Sequence, residues 1–288
     1  QEVRDRCFFM NLKARIYHTL PDALHPVAES VYNAVIGNRA AAYIKLPPEK
    51  KREKQHHHQF VDEFFSSEKE YREFVQEFEG EDIDEIRNDA LEQFQQMTAG
   101  DNIVGTVAMA TAKDYYALIR KQQPDIIVET GVSNGLSTLS VLLALQMNEN
   151  GHLYSIDYPF RADESLEEFR QETFDNYAGA AIPSDKEPGW IIPDQLRDRW
   201  DLIIGKSQRE LPLLLSELES IDMFIHDSEH SHPCMMFEYE LGYEWLSDGG
   251  ILLSDDINWN DAFSVFTTVR SPECGKLSRR VGYVVKSS

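Results

Sequence analysis

From about residue 106 onward, short runs of consecutive apolar residues alternate with stretches whose apolar positions recur every three or four residues. Asp125 to Glu129 is a β-branched run of the kind buried in a parallel sheet, and Pro124 separates it from a helix that Thr111 can cap and that runs to about Gln122. Ser137 to Met147 predicts an apolar helix, and Gly151 to Asp157 a second strand. Asp201 to Ile204 predicts a third strand, Arg209 to Leu218 a helix, and Ile221 to His226 a fourth strand. Pro233 to Leu246 predicts a helix ended by Gly249-Gly250, followed by a fifth strand over Ile251 to Ser254. Phe263 to Val269 is a helix or strand, and Val281 to Lys286 a last strand. Strands alternating with helices imply an α/β fold with a doubly wound, mostly parallel, Rossmann-like sheet and right-handed crossovers.

The first hundred residues have another character, polar and rich in Glu, Gln and aromatics. Phe60, Phe64, Tyr71, Phe74, Val75 and Phe78 recur at roughly helical spacing, and Ser67 with Glu70 reads as a capping box. A further helix is expected over Asp84 to Met97, ending near Gly100. Pro47-Pro48 and the charged run Glu49 to Lys54 read as a loop, and His56-His57-His58 as a solvated loop or helix start, since three successive residues cannot share one helical face. The expected division is a helical N-terminal extension over 1–105 and an α/β domain over 106–288. The stretch 158–200, too long for a plain connector, is expected to form a lid insertion holding a helix around Leu166 to Tyr177.

Composition narrows the function classes. With 288 residues, 42% of them hydrophobic, the chain can build a sizeable core. A net charge of −22 argues against nucleic acid or an anionic membrane as the main partner, because phosphate binding needs a basic face. The same charge suits solubility in high salt, where screening removes self-repulsion. No apolar run approaches a membrane span, and the charged first ten residues predict no signal peptide. Cys7, Cys234 and Cys274 lack metal-ligand or disulfide-framework spacing and read as reduced thiols in a cytoplasmic protein, with a homo-oligomer left open.

In an open α/β sheet, ligands bind at the carboxyl ends of the strands. Polar groups gather at those ends here: Glu129-Thr-Gly131-Val-Ser133-Asn-Gly135 after the first, Asp157 after the second, Gly205-Lys206-Ser207 after the third, Asp227, Glu229 and His230 after the fourth, Asp255-Asp256 after the fifth. The glycines let a turn approach a ligand closely, and Asp157 is placed to accept hydrogen bonds from ribose hydroxyls. A dinucleotide turn wants G-x-G-x-x-G for the pyrophosphate; here the spacing is G-x-x-x-G and the turn opens with an acid, which suits the cationic amino-acid tail of S-adenosylmethionine. The cofactor candidates are Glu129, Gly131, Ser133, Gly135, Ser137, Asp157 and Ser207.

Three motifs carry a family resemblance: Val128-Glu-Thr-Gly-Val-Ser-Asn-Gly-Leu-Ser-Thr138, His226-Asp-Ser-Glu-His-Ser-His232 and Leu253-Ser-Asp-Asp-Ile-Asn-Trp-Asn-Asp-Ala-Phe263. Over about 106–286 the chain resembles the class I, metal-dependent O-methyltransferases that act on sugar or macrolide hydroxyls, similar to the macrocin and mycinamicin enzymes. The resemblance implies a divalent ion, usually magnesium, on Asp227, Asp255 and Asp256, with His230 as the base and a small-molecule or glycan acceptor. The residue types agree: three converging carboxylates would repel by roughly 4 kcal/mol per pair at 4 Å and an effective dielectric near 20, and a hard cation removes that penalty. Asp227 orienting the cofactor's amino group, Asp255 and Asp256 as a solvated strand end, and His230 as a helix-start histidine without catalytic duty remain open. Trp190 and Trp259 are candidate pocket walls. The rivals are a nicotinamide-dependent oxidoreductase and a non-catalytic binding protein retaining the fold.

Overall fold

A computed structural model describes residues 48–98, 109–161, 163–165, 167, 169 and 181–287. The described residues from His56 onward belong to one compact unit, and residues 48–55 lie outside it. Among the described residues three helices come first: α1 (Pro48–Phe64), α2 (Glu68–Phe78) and α3 (Glu81–Thr98). The charged run expected as a loop is thus helical, and the three histidines lie inside α1. Proline is tolerated at a helix start, where its missing N–H has no partner to lose, and Glu49 to Lys54 are good helix formers. The capping box is half present. Ser67 Oγ accepts the Glu70 N–H at 3.2 Å, while the Glu70 carboxylate reaches Ser66 instead, accepting from its N–H and Oγ, each at 2.7 Å.

The remaining elements are α4 (Met109–Gln122), β1 (Ile126–Thr130), α5 (Leu136–Asn148), β2 (His152–Asp157), the short pair β3 (Phe160–Arg161) and β4 (Ala181–Ile182), a 3₁₀ turn (Asp194–Arg199), β5 (Trp200–Ile204), α6 (Ser207–Leu218), β6 (Ile221–His226), α7 (His232–Trp245), β7 (Leu246–Ser254), α8 (Ala262–Arg270), β8 (Glu273–Lys276) and β9 (Gly282–Val285). The main sheet has seven strands in the order β5-β2-β1-β6-β7-β9-β8. Five strands run parallel, and β9 and β8 close the edge antiparallel. Gly249-Gly250, expected to stop the preceding helix, lies inside β7, and β8 is a strand that the apolar pattern did not announce. Of the helix expected over Leu166 to Tyr177 only Glu167 and Phe169 are described, both helical, and the reading of Cys7 lies outside the described residues.

The sheet is buried on both faces, and successive strand residues alternate between them. Ile127, Met223, Ile225, Ile251 and Leu253 join one cluster with α4 and α5, and with Phe60, Phe64, Tyr71 and Phe78 of the early helices. Val128, Phe224, Leu252 and Val284 face the other way, toward Leu211 of α6, Met235 and Tyr239 of α7, and Phe266 of α8. From Phe60 onward the early helices therefore cover one face of the sheet. The order reverses between β1 and β6: β2 and β5 lie on one side, β7 on the other. That switch point opens a crevice at the carboxyl ends of β1 and β6.

Candidate active site

The turn after β1 is built around positive φ angles at Gly131 (+86°), Ser133 (+49°) and Gly135 (+99°). The sequence reading made Gly131 and Gly135 space for a cofactor; their immediate neighbours are protein. A Cβ on Gly131 would stand 2.0 Å from the Asp227 carbonyl oxygen, and one on Gly135 would stand 2.8 Å from the Gly189 Cα. The first glycine lets the β1 turn meet the β6 turn. The second lets the segment after β4 sit on the start of α5. That segment is fastened by the Gly189 N–H to the Ser133 carbonyl at 2.8 Å and by the Trp190 indole N–H to Asn134 Oδ1 at 2.7 Å. Trp190 thus anchors the insertion to the glycine turn.

Asp157 stands at the end of β2, and its Oδ2 accepts the N–H groups of Val132 and Ser133, each at 2.6 Å. Burial raises its pKa, and these two bonds oppose the rise. Glu129 is fully buried and accepts from the hydroxyls of Ser137 (3.1 Å), Thr138 (2.9 Å) and Ser155 (2.8 Å). It ties β1, β2 and α5 together from inside the fold, and burial pushes its carboxyl up to about 7. Ser207 is also turned inward, with Oγ 3.9 Å from Cys234 Sγ.

The ends of β6 and β7 hold the second cluster. His230 Nε2 lies 3.8 Å from Asp227 Oδ1 and 3.4 Å from Asp256 Oδ2. Burial first, and His226 next, push the His230 imidazole down to about 4, so it is neutral at pH 7. Burial raises Asp227 well above the usual carboxylate range, with Asp255, Glu129 and Asp256 adding to it; Asp255 is raised by burial too. Asp256 holds a left-handed backbone (φ +48°), and the Asp255 N–H donates to the His226 carbonyl at 2.9 Å. Trp259, half exposed, has its ring centroid 6.1 Å from that of His230.

Three groups here escaped the sequence reading. Glu238, buried on α7, accepts from Thr130 Oγ1 at 2.5 Å and Ser228 Oγ at 2.7 Å and pairs with His226 Nδ1 at 2.6 Å. It stands twelve residues from His226, beyond any local motif. Tyr115, on α4, has a fully buried hydroxyl with no hydrogen-bond partner among the described residues. Burial, then the charges of Asp255, Asp227 and Glu129, hold it protonated. Arg280, in the loop between β8 and β9, directs Nε to Asp256 Oδ1 at 2.7 Å and Nη2 to Asp255 Oδ2 at 3.5 Å.

Residues 128–257 match a family described as the methyltransferase domain. No curated relative matches the chain in sequence. Similar solved structures include the O-methyltransferase from Bacillus cereus in complex with SAH, at 15% identity and a TM-score of 0.48, covering 68% of this chain and 90% of that one. A cofactor-bound protein from MTB is similar at 13% identity and a TM-score of 0.47, covering 69% of this chain and 90% of that one. Both likenesses are distant. The domain match falls on the parallel strands and their acidic carboxyl ends, where the sequence reading expects S-adenosylmethionine.

The arrangement suits that cofactor. A carboxylate closes β2 beside a left-handed turn, a helix begins immediately after it, and the orphaned Tyr115 hydroxyl can donate to an anionic group such as the cofactor's carboxylate. A divalent ion fares differently. Among the described residues no group of three His, Cys, Asp or Glu side chains is arranged to hold a metal, and a guanidinium lies against two of the three acids assigned to magnesium. In this arrangement the residues do not fit the ion.

Proposed function

We propose that the protein methylates a hydroxyl of a small polyhydroxylated acceptor, a sugar or glycan intermediate, over the carboxyl ends of β1, β2, β6 and β7. The observation that carries this reading is His230, neutral at pH 7 and set between Asp227 and Asp256 at the switch point of a methyltransferase sheet. S-adenosylmethionine supplies an electrophilic methyl group on a good leaving group, so placement of the acceptor accounts for most of the acceleration.

The roles of the chain's own residues follow from their positions. Asp157 commits Oδ2 to the glycine turn and has Oδ1 to offer to ribose hydroxyls. Gly131, Ser133 and Gly135 shape the turn, while Glu129 with Ser137 holds it from below. Tyr115 donates to the cofactor's amino-acid end. Ser207, turned toward Cys234, acts from beneath the cleft. His230 Nε2 accepts the acceptor's hydroxyl proton, and Asp227 and Asp256 stabilise the imidazolium formed. Trp259 offers a half-exposed indole face to the apolar C–H side of a sugar ring, and the acids accept hydrogen bonds from its hydroxyls. Magnesium has no place in the proposal.

The test is transfer of labelled methyl groups from S-adenosylmethionine to a panel of glycosides and glycan intermediates. His230→Ala is expected to lower turnover by about 10²–10⁴. Its affinity for S-adenosylhomocysteine should stay within about threefold, because the histidine faces the acceptor. Full turnover in His230→Ala would remove its role as base. Transfer only to acceptors without hydroxyls would overturn the acceptor class.

A further inference from the structure

We propose that Arg280 is the resident cation of the acceptor end, standing where the resemblance implied a divalent ion, so that Asp255 and Asp256 are neutralised by the chain itself. The inference rests on the reading of this end as the place where the acceptor binds.

The placement is built by backbone bonds on both sides. The Ile257 N–H donates to the Arg280 carbonyl at 2.9 Å, fixing the start of the arginine side chain beside the residue that follows the acid pair. Ser278 Oγ accepts the N–H groups of Arg280 (3.2 Å) and Val281 (3.1 Å), and the Leu277 N–H donates to the Val281 carbonyl at 3.0 Å. Leu277 and Val281 are buried on either side of the turn. The acids are equally tied: Asp255 N–H to His226, and the Asp256 carbonyl accepting from the Trp259 N–H at 2.8 Å. The backbones of both partners are fixed, so pairing costs the rotamer freedom of the side chains alone.

The chemistry separates this cation from a metal. A guanidinium stays charged at all working pH values and presents several N–H donors in a plane, matched to carboxylate oxygens. Magnesium demands near-ideal octahedral oxygen ligation at about 2.0–2.1 Å. With Nε on one acid and Nη2 near the other, the oxygens that such an ion would gather already face N–H groups. The Arg280 side chain is 57% exposed, so its guanidinium also borders the mouth of the cleft. There it can donate to an acceptor oxygen gaining negative charge as His230 takes the proton.

The experiment is calorimetric titration of the whole chain with magnesium chloride at constant ionic strength. The wild-type protein is expected to give no saturable heat up to millimolar magnesium. Arg280→Ala is expected to gain a saturable site, lost again when Asp256→Asn is added. Arg280→Lys, which keeps the charge, should behave like wild type and serves if the alanine variant folds poorly. Saturable binding by the wild type that Asp255→Asn or Asp256→Asn abolishes, with an affinity unchanged in Arg280→Ala, would overturn the proposal. Titration with S-adenosylhomocysteine in parallel keeps the two readings apart: its failure would count against the methyltransferase site and leave the magnesium result standing.

Discussion

The ends of β1 and β2 and the ends of β6 and β7 lie side by side in one sheet and are built in opposite ways. At the first, every recorded bond of the acids serves the fold: Asp157 holds two N–H groups of the glycine turn and Glu129 holds three hydroxyls. At the second, the acids crowd one another beside a neutral histidine, and their counter-charge is an arginine from the far edge of the sheet. A binding surface for an invariant cofactor gains from rigidity. A surface where a proton moves needs charge that can respond to it.

The contrast breaks most sharply at Asp157. Asp157→Ala removes two bonds to the turn, each worth roughly 1.5–3 kcal/mol when charge-assisted, together with its offer to the ribose. Affinity for S-adenosylhomocysteine should fall at least about 100-fold by calorimetry. Asp255→Asn and Asp256→Asn should leave it within a few-fold. Equal losses at both ends would erase the distinction.

Gly131→Ala comes next. The added Cβ would overlap the Asp227 carbonyl at 2.0 Å, on a backbone at φ +86° that side chains disfavour. We expect a loss of roughly 3–5 kcal/mol in unfolding free energy, near the top of the range for single substitutions. A variant as stable as wild type in denaturant titration would mean that the two turns do not meet so closely.

A smaller effect sharpens the account of Glu129. Burial raises its pKa from 4.5 to about 7 in the fold. The stability that accompanies this shift is full below pH 4.5 and is lost as pH rises through 7, about 3 kcal/mol for a single group at 1.36 kcal/mol per unit. Unfolding free energy should fall across that window, and Glu129→Gln should flatten the slope. Asp157, Asp227 and Asp255, also raised, keep part of it. An unchanged slope in Glu129→Gln would contradict the buried-acid description.

The smallest expected effect is that of salt. A chain of net charge −22 should melt a few degrees higher in molar potassium chloride than in dilute buffer, as screening weakens self-repulsion. A flat or falling melting curve would return it to ordinary acidic proteins.

How much of this was legible in the sequence depends on the range of the signal. The strand Ile221 to His226 was read to the residue, because an apolar run bounded by Ser220 and Asp227 is a local pattern. The acids at strand ends were legible for the same reason: the topology rule converts position along the chain into position in space. Glu49 to Lys54 was misread because a charged run is compatible with a helix when proline opens it. Gly249-Gly250 was misread because a glycine pair marks a helix stop or an irregular strand start equally well. Arg280 and Glu238 were missed because their partners lie 24 and 25 residues away in the one case and 12 in the other, and no pattern connects them. Tyr115 sat in an apolar helix where an aromatic residue signals packing; only its unpartnered hydroxyl reveals more.

The central claim is that the ends of β1 and β2 bind S-adenosylmethionine. Calorimetric titration of the whole chain with S-adenosylhomocysteine and, separately, with NADH tests it most directly. Saturable binding of S-adenosylhomocysteine, abolished in Asp157→Ala, with no saturable heat from NADH, is the result the account predicts. Saturable NADH binding without any S-adenosylhomocysteine binding would contradict it.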